Sequence, residues 1–229
     1  QWEVGRFFVK PEYRSRTSVA YYEDSEPEQS GVIWQPDVYP LAAHLARQLG
    51  CTQIIDIGSG HGQKLVSLYP EFQVMGVDFG PNMAYCSSHY PFGTWLEWNL
   101  ESSQAIPIDP QIAQQSVVIC SDVIEHLVDP TFLLRNIKRL LADVPVVVLS
   151  TPERDLTRGT QDMGPPINPC HVREWNLLEL KQLLESEGIS VDFIGITISN
   201  THSNLHQTTL ALLRGERNDR PLLPGASAG

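Results

Sequence analysis

Short apolar runs alternate with helix-patterned stretches through the middle of the chain, and this alternation limits the folds open to it. Gln53 to Ile57, Phe72 to Val77, Trp95 to Leu100, Ser116 to Cys120 and Val144 to Ser150 read as strands, with Val146 to Leu149 continuously apolar. A strand apolar on both sides is buried on both faces, which fits a parallel sheet covered by helices better than a half-solvated antiparallel one. Between the runs, helices are predicted over Pro40 to Leu49, Gln63 to Tyr69, Pro81 to about Tyr90 and Pro130 to Leu141. In the first of these, Leu41, Ala42, Leu45, Ala46 and Leu49 recur at helical spacing and Gly50 supplies a C-terminal cap. A helix from about Arg173 to Glu187 follows, then strands near Ile189 to Thr197 and Gln207 to Arg214 that pair at the sheet edge, one of them antiparallel. The expected architecture is α/β and doubly wound, a mostly parallel sheet with helices on both faces.

Three stretches fall outside this alternation. Residues 1–36 are aromatic-rich but aperiodic (Trp2, Phe7, Phe8, Tyr13, Tyr21, Tyr22, Trp34) and carry an acidic run at Glu23, Asp24, Glu26 and Glu28, so they read as a lid or cap draped over the core. The folded domain is expected over 37–215, with 216–229 a flexible tail. Residues 151–172 hold four prolines and two glycines, a loop longer than ordinary connectors, and such loops tend to be functional.

Composition removes several partners. Sixteen Lys and Arg against 27 Asp and Glu leave a net charge of −11, the wrong sign for duplex nucleic acid or an anionic membrane surface. No apolar run approaches the roughly 20 residues that span a bilayer, and the start QWEVGRFFVK lacks a signal-peptide pattern. The expected location is the cytoplasm, with no nucleic-acid or membrane partner. Cys51, Cys86, Cys120 and Cys170 are scattered singly, which indicates buried small side chains and neither a zinc knuckle nor a disulfide framework.

The chemistry-bearing signal is the run Asp56-Ile57-Gly58-Ser59-Gly60-His61-Gly62, which leaves the first strand and enters a helix. Glycines there let the backbone turn tightly and approach a ligand. Asp78 follows 20 residues after Gly58, at the end of the second strand, where a carboxylate suits a ribose diol. The third glycine comes one residue too early for a dinucleotide fingerprint, and Asp56 suits an ammonium-bearing ligand better than a pyrophosphate. This D-x-G-x-G-x-G pattern resembles the first motif of class I S-adenosylmethionine-dependent methyltransferases. The resemblance extends through Gly76-Val77-Asp78, Asn99-Leu100 and Ser121-Asp122-Val123-Ile124-Glu125-His126-Leu127, covering about residues 40–214.

That resemblance implies a Rossmann-like, seven-stranded sheet and S-adenosylmethionine as cofactor. It places Gly58, Ser59, Gly60 and Gly62 along the methionine moiety with Asp56 near its ammonium, Asp78 on the ribose hydroxyls, and Phe79 and Met83 on the ribose and adenine. Asn99 stands where the family commonly has an acidic residue at the adenine amino group, the Leu100 backbone amide completes adenine recognition, and Ser121 lies beside the site. The D-x-x-E-H run is similar to the E-x-x-E-H of small-RNA 2′-O-methyltransferases and to ubiquinone-biosynthesis O-methyltransferases.

Two histidines are candidates for chemistry. His126 lies just past the fourth strand, on the side where ligands bind in such sheets, and His171 ends the Pro-rich loop in Asn168-Pro169-Cys170-His171-Val172-Arg173-Glu174-Trp175. Either suits a general base for an alcohol or phenol. Asp122, Glu125, His126 and His171 also form a set that would gather a divalent metal, though no metal is expected as an obligatory cofactor. A structural role for the Glu-His pair, capping the next helix and closing the cleft floor, stays open. His61 would flank the cofactor, Arg14 and Arg16 would reach its carboxylate or stay solvated, and His44, His89, His202 and His206 are expected at the surface or a strand edge. The expected function is O-methylation of a small molecule, with no N-P-P-Y or D-P-P-Y run to indicate adenine or glutamine-amide methylation. The alternatives are a catalytically silent cofactor-binding partner and a nicotinamide-dependent oxidoreductase.

Overall fold

The protein is described by a computed structural model covering residues 5–20, 22, 31–218 and 222. Trp2, Tyr21, the acidic run at 23–28 and most of the expected tail lie outside the described residues. Seven strands form one sheet: β1 (Gln53–Ile57), β2 (Gln73–Asp78), β3 (Thr94–Glu97), β4 (Ser116–Ser121), β5 (Val146–Pro152), β6 (Val191–Ile198) and β7 (His206–Arg214). Their spatial order is β3-β2-β1-β4-β5-β7-β6. β3, β2, β1, β4 and β5 run parallel, and β7 lies antiparallel between β5 and β6.

The continuous apolar runs are explained by two cores, one on each face. Ile55 and Ile57, Val118 and Cys120, and Val147 and Leu149 point to the face covered by α5 (Pro130–Leu140) and α7 (Leu177–Ser186), through Leu133, Leu134, Ile137, Leu180 and Leu184. Ile54, Val117, Ile119, Val146 and Val148 point the other way, against Val38, Ala42, Leu45 and Ala46 of α1 (Val38–Leu49). Burying alternate residues on opposite faces leaves no polar side to these strands.

Helix ends follow local chemistry. Gly50 closes α1 at φ +72°, and Pro130 opens α5 behind Asp129, whose carboxylate accepts from Thr131 N at 3.0 Å. The short α2 (Gln63–Val66) ends earlier than the predicted Tyr69, α3 spans Pro81–His89, and α4 (Pro110–Gln114) is an unforeseen turn capped by Asp109. α7 begins four residues later than the predicted Arg173, because Asn176 and Glu179 form a capping box. The stretch 151–172 is not all loop: β5 runs to Pro152, and α6 (Arg154–Arg158) follows, with Glu153 accepting from Leu156 N.

The N-terminal segment packs onto the β5–α7 connection. Val9 is buried in the core, Trp175 Nε1 donates to Phe7 O at 2.8 Å, Arg14 N donates to Met163 O and Arg16 N to Val172 O. Among the described residues no helix is long and apolar enough to cross a membrane.

Candidate active site

A cleft of about 1530 Å³ opens at the carboxyl ends of the parallel strands, beside the point where the order reverses between β1 and β4. One wall is the glycine turn. Gly58 has φ +79° and donates to Val77 O at 2.7 Å, and a Cβ there would lie 2.3 Å from Val123 Cγ2. Only glycine brings the β1 and β4 turns this close. Asp78 holds the turn: its Oδ2 accepts from Gly60 N at 2.8 Å and its Oδ1 from Phe79 N at 2.7 Å.

Gly58, Ser59, Gly60, Asp78, Phe79, Asn99, Leu100 and Ser121 all line the cleft. Asp56, Gly62 and Met83 do not. Asp56 is 1% exposed and points toward α1, with Oδ2 accepting from Tyr39 Oη at 2.7 Å; burial pushes its carboxyl up to about 6. Gly62 packs on Trp95, which a Cβ would meet at 2.8 Å, and Met83 is buried in α3. Asn99 Oδ1 already accepts from Glu101 N, and Ser121 Oγ bonds Ser150 Oγ.

The floor is built by the turn after β4 and the stretch before α7. Asp122 sits at φ +55°, and Gln35 Nε2 donates to both of its carboxylate oxygens, at 3.1 and 2.9 Å. Glu125 is fully buried: Oε2 accepts from Thr151 Oγ1 at 2.9 Å, and Oε1 has no hydrogen-bond partner among the described residues. Burial, then the nearby Asp122 charge, push the Glu125 carboxyl up to about 8.

His126 and His171 meet here. The His126 Nδ1–H donates to Cys170 O at 3.0 Å, a tautomer assigned from the carbonyl partner, which leaves Nε2 unprotonated. Burial, then the neighbouring His171, lower its pKa to about 4. His171 Nδ1 bonds Glu174 Oε1 at 2.7 Å, and its Nε2 accepts from Asn168 Nδ2 at 3.0 Å. Burial alone would lower the His171 pKa, but the hydrogen bond to Glu174 and the charges of Glu125, Glu174 and Asp122 outweigh it and raise it above the usual histidine value.

One set of ligand atoms from Glu125, His126 and His171 falls within 4.8 Å of one another, and the orphaned Glu125 Oε1 gives that set an acceptor suited to a cation. Asp122 is not in the group, and its carboxylate accepts from Gln35 instead. The cap of α5 is Asp129 and not the Glu125–His126 pair. His61 is buried and stacks on Tyr85 at 4.0 Å, and His89, exposed as expected, stacks on the same ring at 3.9 Å. Arg14 is exposed, Arg16 is half-buried, and neither lines the cleft. Arg14 donates to Gly164 O, and the Arg16 guanidinium to the carbonyls of Pro166, Asn168 and His171.

Glu174 was missed by sequence reasoning, although its i, i+3 spacing from His171 is visible in the chain. Gln35 and Tyr39 had no such signal, because their partners Asp122 and Asp56 lie far away in sequence.

A Rossmann-like sheet ordered 3-2-1-4-5-7-6, with a glycine turn and a ribose-suited carboxylate over one cleft, defines a methyltransferase fold. The chain matches the methyltransferase domain family over residues 26–192 and belongs to it, among the class I S-adenosylmethionine-dependent methyltransferases. A probable S-adenosylmethionine-dependent methyltransferase of Mycolicibacterium smegmatis is 30% identical over 167 residues, which is 72% of this chain and 60% of that protein. One from Mycobacterium tuberculosis is 34% identical over 158 residues, 69% of this chain and 53% of that protein. The chain therefore spans between 53% and 60% of the length of these curated relatives. The methyltransferase domain of a bacterial Hen1 superposes with a TM-score of 0.54 at 18% identity, covering 77% of this chain and 96% of that domain, a likeness of fold. The family's cofactor is S-adenosylmethionine, and the cleft fits it: the Asp78 carboxylate lines the cleft at the end of β2, where a ribose diol would sit, and Ser59 Oγ is buried at the cleft wall without a partner among the described residues.

Proposed function

We propose that the chain O-methylates a small hydroxyl-bearing acceptor, with His171 as general base. The carrying observation is the Glu174–His171 pair beside His126 on the floor of the cleft that also holds Asp78. S-adenosylmethionine, when bound, supplies an electrophilic methyl group on sulfur. Asp78 accepts from its ribose hydroxyls, and Gly58, Ser59 and Gly60 hold its methionine end. Glu174 keeps the His171 proton on Nδ1, so that Nε2 takes the acceptor's hydroxyl proton once the Asn168 amide gives way. His126, too weak a base at about 4, accepts a hydrogen bond at Nε2 and orients the acceptor. Ser18, Val19, Ala20 and Tyr22, residues 31–36, and Ile167, Asn168 and His171 line the cleft, where they would exclude water from the bound acceptor. The net charge of −11 favours a small acceptor over a nucleic acid.

A second reading is favoured by the Glu125, His126 and His171 cluster: these three would hold Mg²⁺ or Mn²⁺, which would lower the acceptor hydroxyl's pKa. Turnover lost in EDTA and restored by either ion would select this reading over the metal-free one.

Titration of S-adenosylhomocysteine by calorimetry tests the cofactor site. Micromolar binding weakened tenfold or more by Asp78→Ala is expected, and a well-folded protein that binds none overturns the assignment. Binding retained without turnover on any hydroxyl acceptor would favour a silent cofactor-binding role.

A further inference from the structure

The cleft has a polar floor and an apolar mouth. Tyr22, Ile33, Trp34, Val128 and Ile167 all line it, and all are among the exposed large apolar side chains, with Ile33 at 52%, Trp34 at 50% and Ile167 at 81%. They come from three separate parts of the chain: the N-terminal segment, the turn after β4 and the stretch between α6 and α7. Scattered single apolar residues on a surface need no explanation, but a group converging on the rim of one functional cleft marks a place where something apolar is covered. The polar side chains of His126, His171, Glu174 and Arg158 lie in the same cleft. Polar atoms and apolar rim are therefore presented to one occupant.

We propose, building on the methyltransferase reading above, that the acceptor is an amphiphile: a hydroxyl-bearing head for the His126–His171 floor and an apolar arm of several carbons laid along Ile33, Trp34 and Ile167. The acidic chain, at −11, disfavours an anionic bilayer surface as the occupant, so the arm belongs to a discrete molecule. Burial of the arm supplies affinity without specifying its branching, while the floor fixes which hydroxyl reacts.

The test uses 4-alkylphenols from methyl to octyl, titrated by calorimetry into the protein with and without saturating S-adenosylhomocysteine. Each added methylene is expected to tighten binding by about two- to fourfold until the rim is covered. Ile33→Ser combined with Ile167→Ser is expected to flatten that dependence. Both side chains are more than half exposed, so the melting temperature should hold. Leu205→Ser, at an exposed residue that does not line the cleft, should leave the dependence unchanged. Affinity independent of chain length, no binding even of octylphenol, or a slope that survives the double substitution overturns the proposal. The S-adenosylhomocysteine titration decides the methyltransferase reading separately. A steep slope without cofactor binding would leave an amphiphile site and remove the methyltransferase reading, and cofactor binding with a flat slope would do the reverse.

Discussion

His171 meets His126 edge to face, with ring centroids 4.7 Å apart, and the two imidazoles are tuned in opposite directions. His126 is pushed down to about 4 by burial and by its neighbour, while Glu174 and the surrounding carboxylates hold His171 above the ordinary value. Two imidazolium ions this close in a buried site repel each other, so a proton arriving on the floor resides on His171. Groups whose environments push their pKa values apart divide the acid–base roles between them.

His171→Gln should therefore lower kcat by about 10²- to 10⁴-fold while S-adenosylhomocysteine binding stays within a few-fold. Glu174→Gln should cost less, because it alters only the tautomer and basicity of the ring. Single-turnover rates measured beside calorimetry check this, and a His171→Gln enzyme with near-native turnover would remove the general-base assignment.

Gly58→Ala places a methyl group 2.3 Å from Val123 Cγ2 at a backbone φ of +79°. Overpacking and left-handed strain together predict a loss of roughly 2–5 kcal/mol. Adding Val123→Ala should recover the steric part but not the backbone part. Urea unfolding of the single and double variants separates the two, and additive losses would show that the contact is not the cause.

Asp56 carries a pH signature. Its folded-state carboxyl, raised from 3.8 to about 6 by burial, favours the protonated form. Its contribution to stability is therefore full below about pH 4 and is lost as pH rises through 6, a change of about 3 kcal/mol. Asp56→Asn removes this dependence while keeping an acceptor for Tyr39. Relative to the wild type, that variant should gain stability between pH 4 and pH 8 in urea unfolding, and an unchanged difference across that range would show that Asp56 is not strained by burial.

Arg154 is fully buried. It donates to Glu179 at 2.6 and 2.9 Å, to Asp155 at 2.9 Å and to the Glu174 carbonyl at 3.2 Å. Arg154→Met leaves Glu179 charged and short of a partner, at an expected cost of about 3–5 kcal/mol. Glu179→Gln in the same background should return part of it, since the unpaired charge is then gone. Thermal melts of the pair provide the check, and a double variant less stable than Arg154→Met alone would contradict the electrostatic account.

Much of the sheet was legible because its signal is local. Ile54, Ile55 and Ile57, and the run Val146 to Leu149, put apolar side chains on both faces, and the Gly58-to-Asp78 spacing brings two consecutive strand ends to one cleft. The Pro-rich stretch misled because its order comes from afar. α6 depends on a buried Arg154 whose partner Glu179 lies 25 residues on, and composition alone reads only prolines and glycines there. The floor was half legible: His126 and His171 stand out as residue types, whereas Gln35 on Asp122 is a contact across 87 positions. Asp56 was misplaced toward the ligand because alternation along β1 turns its side chain to α1, a direction that the motif does not encode.

The Arg16 guanidinium grips the carbonyls of Pro166, Asn168 and His171, which makes the N-terminal segment a brace for the backbone that bears the His171 imidazole. Trimming the chain to its sheet and helices, the natural route to a minimal domain, would strip that support while sparing every strand. Such a truncated protein would keep its circular dichroism and its glycine turn and still present the imidazole at the wrong angle. Swapping N-terminal segments between relatives to change acceptor preference would likewise have to carry the 164–171 stretch along, because the two form one mechanical unit.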